Sequence, residues 1–187
     1  MTAHILDEDR LRFSFKPTWS VARYDGDKPG GAAFYRNKVV QLPGTKAVDF
    51  VGVWEKKDGF LIEVKDFRGY RIQNKKRLRS EELALEVAQK VRDTVAGLVG
   101  AARNAATSEA LVAVGLGLPD SRRSLLVVLW LEDDAQVDPR AWAEELNTLT
   151  TRLQGYLQWL TRRILVVSMS THREKPPDVS VQNVPGT

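Results

Sequence analysis

The stretch Phe60-Leu-Ile-Glu-Val-Lys65 predicts a largely apolar β-strand that carries two opposite charges. Side chains alternate between the two faces of a strand, so Glu63 and Lys65 share one face and their apolar neighbours share the other. Residues 47–54 predict a second strand, and Asp58-Gly59 between the two is a typical hairpin turn. We therefore expect an antiparallel hairpin with a charged patch on one face.

The register of this hairpin decides whether Asp49 joins the patch. If Trp54 pairs with Phe60, Asp49 lies opposite Lys65 and diagonal to Glu63, roughly 7–8 Å away at the backbone. A three-residue loop changes the register but keeps these three side chains on one face. A two-residue turn sends Asp49 to the other face, because a shift by one residue inverts a strand.

The remaining chain alternates strand and helix patterns without an internal repeat. The fold class predicted is α/β, with a mixed β-sheet flanked by helices in a single domain over residues 1–170. We expect an irregular N-terminal segment over 1–31 with a short helix at 7–12, and a flexible C-terminal tail over 171–187. Further strands are predicted at 32–42, 124–131 and 164–169, and helices after Ser80 and after Asp138-Pro139.

Composition restricts the chemistry that the chain can support. It has 187 residues, 43% of them hydrophobic, no cysteine and only two histidines, His4 and His172. Disulfides and cysteine zinc sites are excluded, and a multi-histidine site is implausible. Carboxylates are then the expected metal ligands, which favours a hard ion such as Mg²⁺. No apolar run is long enough to span a bilayer and the N-terminus does not resemble a signal peptide, so we expect a cytoplasmic protein without membrane contact.

Positive charge is concentrated in residues 68–79, which we call the basic segment. It carries six basic and no acidic residues, so the rest of the chain has a net charge of −2. Such a concentration predicts a phosphate-binding surface, although a solvated basic loop is the alternative. The expected nucleic-acid contacts are Arg68, Arg71, Lys75, Lys76, Arg77 and Arg79.

Two carboxylates and a lysine on one face are suited to metal-assisted hydrolysis of a phosphodiester. Carboxylates can hold Mg²⁺, and an ammonium can orient water or offset charge on phosphoryl oxygens. The alternative is a cross-strand salt bridge worth at most about 1 kcal/mol. A second Glu-x-Lys copy, Glu55-Lys56-Lys57, lies in a charged turn and needs no such explanation.

The arrangement resembles the PD-(D/E)xK nuclease superfamily, which has the restriction-endonuclease-like fold. The resemblance rests on Val48-Asp49, thirteen intervening residues, and Glu63-Val64-Lys65, followed by a predicted helix and strand. Valine replaces the proline before Asp49, a substitution that is common in the family. The resemblance covers about residues 32–131.

This resemblance implies catalytic roles for Asp49, Glu63 and Lys65. Asp49, Glu63 and the carbonyl of Val64 would bind Mg²⁺ or Mn²⁺, and Lys65 would assist the attacking water. Family members also suggest accessory residues on neighbouring helices. Gln89 is one such residue, and Glu8, flanked by Asp7 and Asp9, is the other.

The expected activity is that of a Mg²⁺-dependent deoxyribonuclease in a defence or repair system. Gln89 is followed by Asp93 and not by the tyrosine of the exonuclease-like branch, so internal cutting is favoured over cutting from ends. Targeting by a partner protein or by homo-oligomerisation is expected, because no recognition module is evident. Two alternatives stay open: a catalytically silent nucleic-acid-binding or assembly subunit with the same core, and an interaction module in which the charged cluster is structural.

Overall fold

The computed structural model describes residues 3–25, 32–70, 81–104, 109–134, 138–171 and 175–184. Its strands are β1 (His4–Glu8), β2 (Leu11–Phe15), β3 (Trp19–Arg23), β4 (Phe50–Trp54), β5 (Asp58–Asp66), β6 (Leu125–Glu132), β7 (Ile164–Val167) and β8 (Val179–Asn183). Its helices are α1 (Glu82–Asn104), α2 (Glu109–Gly117) and α3 (Pro139–Leu157), and a short π-helical turn covers Tyr35–Val39.

A five-stranded mixed sheet in the order β3-β4-β5-β6-β7 forms the centre of the fold. The pairs β3–β4 and β4–β5 are antiparallel, whereas β5–β6 and β6–β7 are parallel. The parallel pairs need crossover connections, which α1 with α2 and then α3 provide. The predicted α/β class, with a mixed sheet flanked by helices, is confirmed.

The helices pack against one face of this sheet. Leu61 of β5 and Leu129 of β6 are fully buried in a cluster that also contains Val87 of α1 and Leu146 of α3. Helix α3 begins as its sequence predicts, because the Asp138 side chain accepts hydrogen bonds from the first helical N–H groups and Pro139 needs none. The buried stripe of α3 consists of Trp142, Leu146, Leu149, Leu153 and Leu157.

A second sheet, in the order β1-β2-β8, covers the opposite face. Strand β2 alternates buried and half-buried residues, and its apolar side chains pack with those of β4, β5 and β6. The rings of Phe13 and Trp130 meet edge to face with centroids 5.5 Å apart. The central sheet is therefore covered by helices on one face and by strands on the other.

The expectations for both ends of the chain were wrong. Instead of an irregular 1–31 segment with a helix at 7–12, the chain forms β1, β2 and β3, with Asp9 at φ 51° in the tight β1–β2 turn. Instead of a wholly flexible tail over 171–187, β8 pairs antiparallel with β2, from Val179 opposite Phe15 to Asn183 opposite Leu11. The two ends of the chain therefore pair with each other, through the backbone hydrogen bonds between β2 and β8.

Two further expectations also differ from the structure. The predicted strand at 32–42 contains the π-helical turn Tyr35–Val39, whose one buried residue, Tyr35, packs its ring against that of Tyr24. Helix α2 was not expected, and Ser80, the predicted N-cap of α1, lies outside the described residues. The extent of the domain, 1–170, stays a prediction. Within the described residues, no helix combines the length and apolarity that crossing a membrane requires.

Candidate active site

The hairpin register differs from the expected one by two residues. Trp54 pairs with Asp58 and Phe50 with Ile62, so the same register, continued by one residue, places Asp49 opposite Glu63. An even shift preserves the face on which each side chain lies. Asp49 therefore remains on the side of the hairpin that carries Glu63, and its direct neighbour is Glu63 instead of Lys65.

Asp49 is held in place from three sides. Its side chain is buried, and Oδ2 accepts a hydrogen bond from the backbone N–H of Val64 at 2.8 Å. Its carbonyl oxygen accepts from the N–H of Tyr24 at 2.8 Å. The preceding residue, Val48, donates its N–H to Oγ1 of Thr94 in α1 at 3.1 Å. The backbone and the carboxylate of Asp49 are thus both fixed beside β5.

Glu63 is a fully buried carboxylate with an incomplete set of partners. The Nζ atoms of Lys65 and Lys90 lie 3.0 Å and 2.7 Å from its Oε1. The other carboxylate oxygen, Oε2, has no hydrogen-bond partner among the described residues. Burial, followed by the charge of Asp49, raises the pKa of Glu63 to about 7, against the opposing effect of the two lysines.

Lys65 is anchored between two carboxylates. Its Nζ lies 2.9 Å from Oε1 of Glu86 as well as 3.0 Å from Oε1 of Glu63. Burial disfavours the charged ammonium, but the two glutamates outweigh it and raise the pKa of Lys65. Lys65 is therefore a cation at neutral pH, suited to orienting groups and offsetting negative charge and unsuited to accepting a proton.

Helix α1 brings Glu86 and Lys90 to the site, and neither was expected from the sequence. The two residues are four apart, so they lie on the same face of the helix, and both side chains are mostly buried. Gln89, the expected residue, instead accepts a hydrogen bond from Nζ of Lys46 at 3.1 Å. The i, i+4 spacing of Glu86 and Lys90 can be read from the sequence. The rotation of α1 about its axis, which brings this pair to the site, cannot.

Asp9 is an N-terminal carboxylate whose charge interacts with Asp49 and Lys65 of this cluster. Glu8, the expected accessory residue, lies at the end of strand β1 and is buried in an ion pair with Arg23. Asp9 lies in the turn that follows, and partial burial together with the charges of Asp49 and Asp66 raises its pKa. The structure thus separates adjacent residues that the sequence could not distinguish.

Of the six basic residues in the basic segment, the structure describes only Arg68. Arg68 donates hydrogen bonds to both carboxylate oxygens of Asp66, at 2.8 and 2.7 Å, and to Oδ1 of Asn183 at 2.6 Å. Burial opposes ionisation of Asp66, but hydrogen bonds from Arg68 and Arg10 lower its pKa. The charge of Arg68 is therefore paired. The other five predicted contacts, Arg71, Lys75, Lys76, Arg77 and Arg79, lie outside the described residues.

The donor set suits a hard divalent cation held by few protein ligands. The part of the chain that the structure describes contains no group of three Asp, Glu, His or Cys side chains arranged to hold a metal ion. Mg²⁺, however, is commonly bound by one or two carboxylates plus water and substrate phosphate. Asp49 and Glu63 supply two adjacent carboxylates, and the buried Oε2 of Glu63 lacks a hydrogen-bond partner among the described residues. These two residues fit such an ion.

Comparison of the chain with models of protein families, with curated proteins and with solved structures returned no match. The residues of the site are therefore the basis for assigning a class of protein.

Proposed function

We propose that this chain is a metal-dependent nuclease that hydrolyses phosphodiester bonds of DNA, built on a restriction-endonuclease-like core. One observation carries the proposal. The carboxylate of Glu63 is fully buried beside Asp49, and its Oε2 has no hydrogen-bond partner among the described residues. Leaving a buried carboxylate oxygen without a hydrogen bond is costly, so such groups commonly have a functional role.

In this proposal Asp49 and Glu63 hold Mg²⁺ or Mn²⁺, with the carbonyl of Val64 as a further ligand. An ion held there would supply Lewis-acid activation of a water and of the phosphate. The hydrogen bond from the Val64 N–H fixes the Asp49 carboxylate beside β5. Lys65, which is anchored by Glu86, places its ammonium where negative charge develops on the phosphoryl oxygens.

The positive charge of the basic segment favours a nucleic-acid substrate. The basic segment continues from Arg68, three residues after Lys65, and lysines and arginines bind the nucleic-acid backbone without reading bases. DNA is preferred to RNA and internal cutting to cutting from ends, as the sequence resemblance implies. A partner protein or a second copy of the chain would direct the enzyme to its target, in the cytoplasm.

A second candidate function is favoured by the ion pairs of Glu63. Lys65 and Lys90 both approach its Oε1, so their charges compensate the buried carboxylate without a metal. An arrangement of this kind also suits a catalytically silent nucleic-acid-binding or assembly subunit with the same core. Metal binding separates the two functions, because only the nuclease requires it.

The experiment is incubation of circular and linear DNA with the protein, with Mg²⁺, Mn²⁺ or EDTA. We expect cutting of circles with either metal and none in EDTA. Glu63→Gln and Lys65→Ala should abolish cutting while the proteins stay folded. The matched controls are Glu55→Gln and Lys57→Ala, because these residues form the same Glu-x-Lys pattern in an exposed turn. Both control variants should cut DNA like the wild type. Intact DNA under all conditions would favour the silent subunit, and cutting that survives EDTA would overturn the metal mechanism.

A further inference from the structure

The two lysines at Glu63 differ in what else holds them. Lys65 is shared between Glu63 and Glu86, at 3.0 Å and 2.9 Å. Lys90 lies 2.7 Å from the same Oε1 of Glu63 and has no other ion-pair or hydrogen-bond partner among the described residues. If a divalent cation approached Glu63, Lys65 would keep a carboxylate partner and Lys90 would lose its partner.

We propose that Lys90 occupies the cation position at Glu63 in the metal-free protein, and that it moves to a phosphate oxygen of the nucleic acid once a divalent cation binds. This inference rests on the proposed function. It makes Lys90 a second substrate-binding lysine and also a competitor of the metal.

Charge balance supports the exchange. Glu63 and Glu86 are matched by Lys65 and Lys90, and the Asp49 carboxylate, stabilised by the Val64 N–H, adds one negative charge. A divalent cation bound to Glu63 would share that carboxylate with the ammonium of Lys90. Two positive charges on one carboxylate repel strongly in a buried site. A phosphodiester offers Lys90 a new anionic partner.

The side chain of Lys90 is suited to such a movement. Lysine carries a compact charge on a flexible four-carbon stem. Its side chain is 15% exposed, compared with 0% for Glu63, so it lies at the border between the buried carboxylate and solvent. Helix α1 fixes the position of its backbone, and the ammonium alone needs to move.

The test measures Mn²⁺ affinity by titration calorimetry, without nucleic acid, for wild type and Lys90→Met. Methionine keeps an unbranched apolar stem and removes the charge, so Mn²⁺ should bind at least about tenfold more tightly. Lys90→Arg keeps the charge and should bind Mn²⁺ like wild type. Lys90→Gln repeats the test should the methionine variant fold poorly. Lys46→Met, an exposed lysine that contacts Gln89 of the same helix, is the matched control and should be unchanged.

A second measurement follows binding of a short labelled DNA duplex. Lys90→Met should weaken binding at least threefold in Ca²⁺ and change it little in EDTA, where Lys90 is engaged by Glu63. Equal Mn²⁺ affinity of wild type and Lys90→Met would overturn this inference and leave the proposed nuclease intact. Absence of Mn²⁺ binding in every folded protein would overturn both.

Discussion

The hydroxyl of Thr94 accepts a hydrogen bond from the backbone N–H of Val48 at 3.1 Å, and both residues are fully buried. This bond joins α1 to the residue that precedes Asp49. The carboxylate of Asp49 in turn is bonded to Val64 of β5. The distance between the two acidic residues therefore depends on a helix that supplies neither of them.

We predict that Thr94→Val lowers both stability and Mn²⁺ affinity. Valine is similar in shape but leaves the Val48 N–H without an acceptor, which costs about 1–3 kcal/mol of unfolding free energy. Displacement of Asp49 should weaken Mn²⁺ binding as well. Urea denaturation and calorimetry measure the two effects, with Thr94→Ser, which keeps the hydroxyl, as the control. A valine variant as stable as wild type would contradict the prediction.

Stability should depend on pH through Glu63. The pKa of Glu63 is about 7 in the folded protein, compared with an ordinary value of 4.5. Between these values the folded protein retains a proton that the unfolded chain has lost, so the contribution of Glu63 to the free energy of unfolding falls as pH rises. Relative to Glu63→Gln, the free energy of unfolding of the wild type in EDTA should fall by up to roughly 3 kcal/mol between pH 5 and pH 8. A difference that is constant with pH, measured by urea denaturation, would refute this.

Tyr24 and Gly97 should show strong coupling. The Tyr24 hydroxyl is buried and lacks a hydrogen-bond partner among the described residues, and a Cβ at residue 97 would overlap its oxygen. We expect Gly97→Ala to destabilise the protein although alanine is about 1 kcal/mol better than glycine within a helix. Tyr24→Phe removes the oxygen, so it should be neutral or stabilising by itself and should rescue Gly97→Ala. The double-mutant cycle is measured by thermal unfolding, and additive effects would refute the proposed contact.

The salt dependence of DNA binding tests the basic segment. Each lysine or arginine that neutralises a duplex phosphate adds about 0.9 to the slope of log affinity against log salt. Replacing Lys75, Lys76 and Arg77 by alanine should flatten the slope by roughly two to three, and equally on unrelated sequences. Arg68→Ala should change it by less than one, because Asp66 already pairs with that charge. An unchanged slope in the triple variant would favour a protein partner for the segment.

The sequence was informative where a short-range rule applies. Alternation along β5 was sufficient to place Glu63 and Lys65 on one face, and the even register kept Asp49 with them even though the predicted pairing was shifted. Asp138-Pro139 likewise marked the start of α3 correctly. Each of these inferences depends on only a few neighbouring residues.

What the sequence could not provide depends on long-range geometry. The contact between Lys90 and Glu63 requires knowledge of how α1 is rotated against the sheet, which no local pattern specifies. The pairing of β8 with β2 joins opposite ends of the chain, and the prolines near β8 favoured a flexible tail over the alternating Val179-Ser-Val181. Propensity is a weak guide when the stabilising partner is so distant in sequence.

The position of β8 has a consequence for the order of folding. The N–H of Val184 bonds to the carbonyl of Arg10 at 2.9 Å, and the side chain of Arg10 pairs with Asp66, next to Lys65. β8 is the last of the described strands to be synthesised, and closing such a long loop is slow. We therefore expect the backbone hydrogen bonds between β2 and β8 to be the last of this sheet to form. The backbone hydrogen bond at Arg10, whose side chain pairs with Asp66 next to Lys65, can then form only after residue 184 has been synthesised.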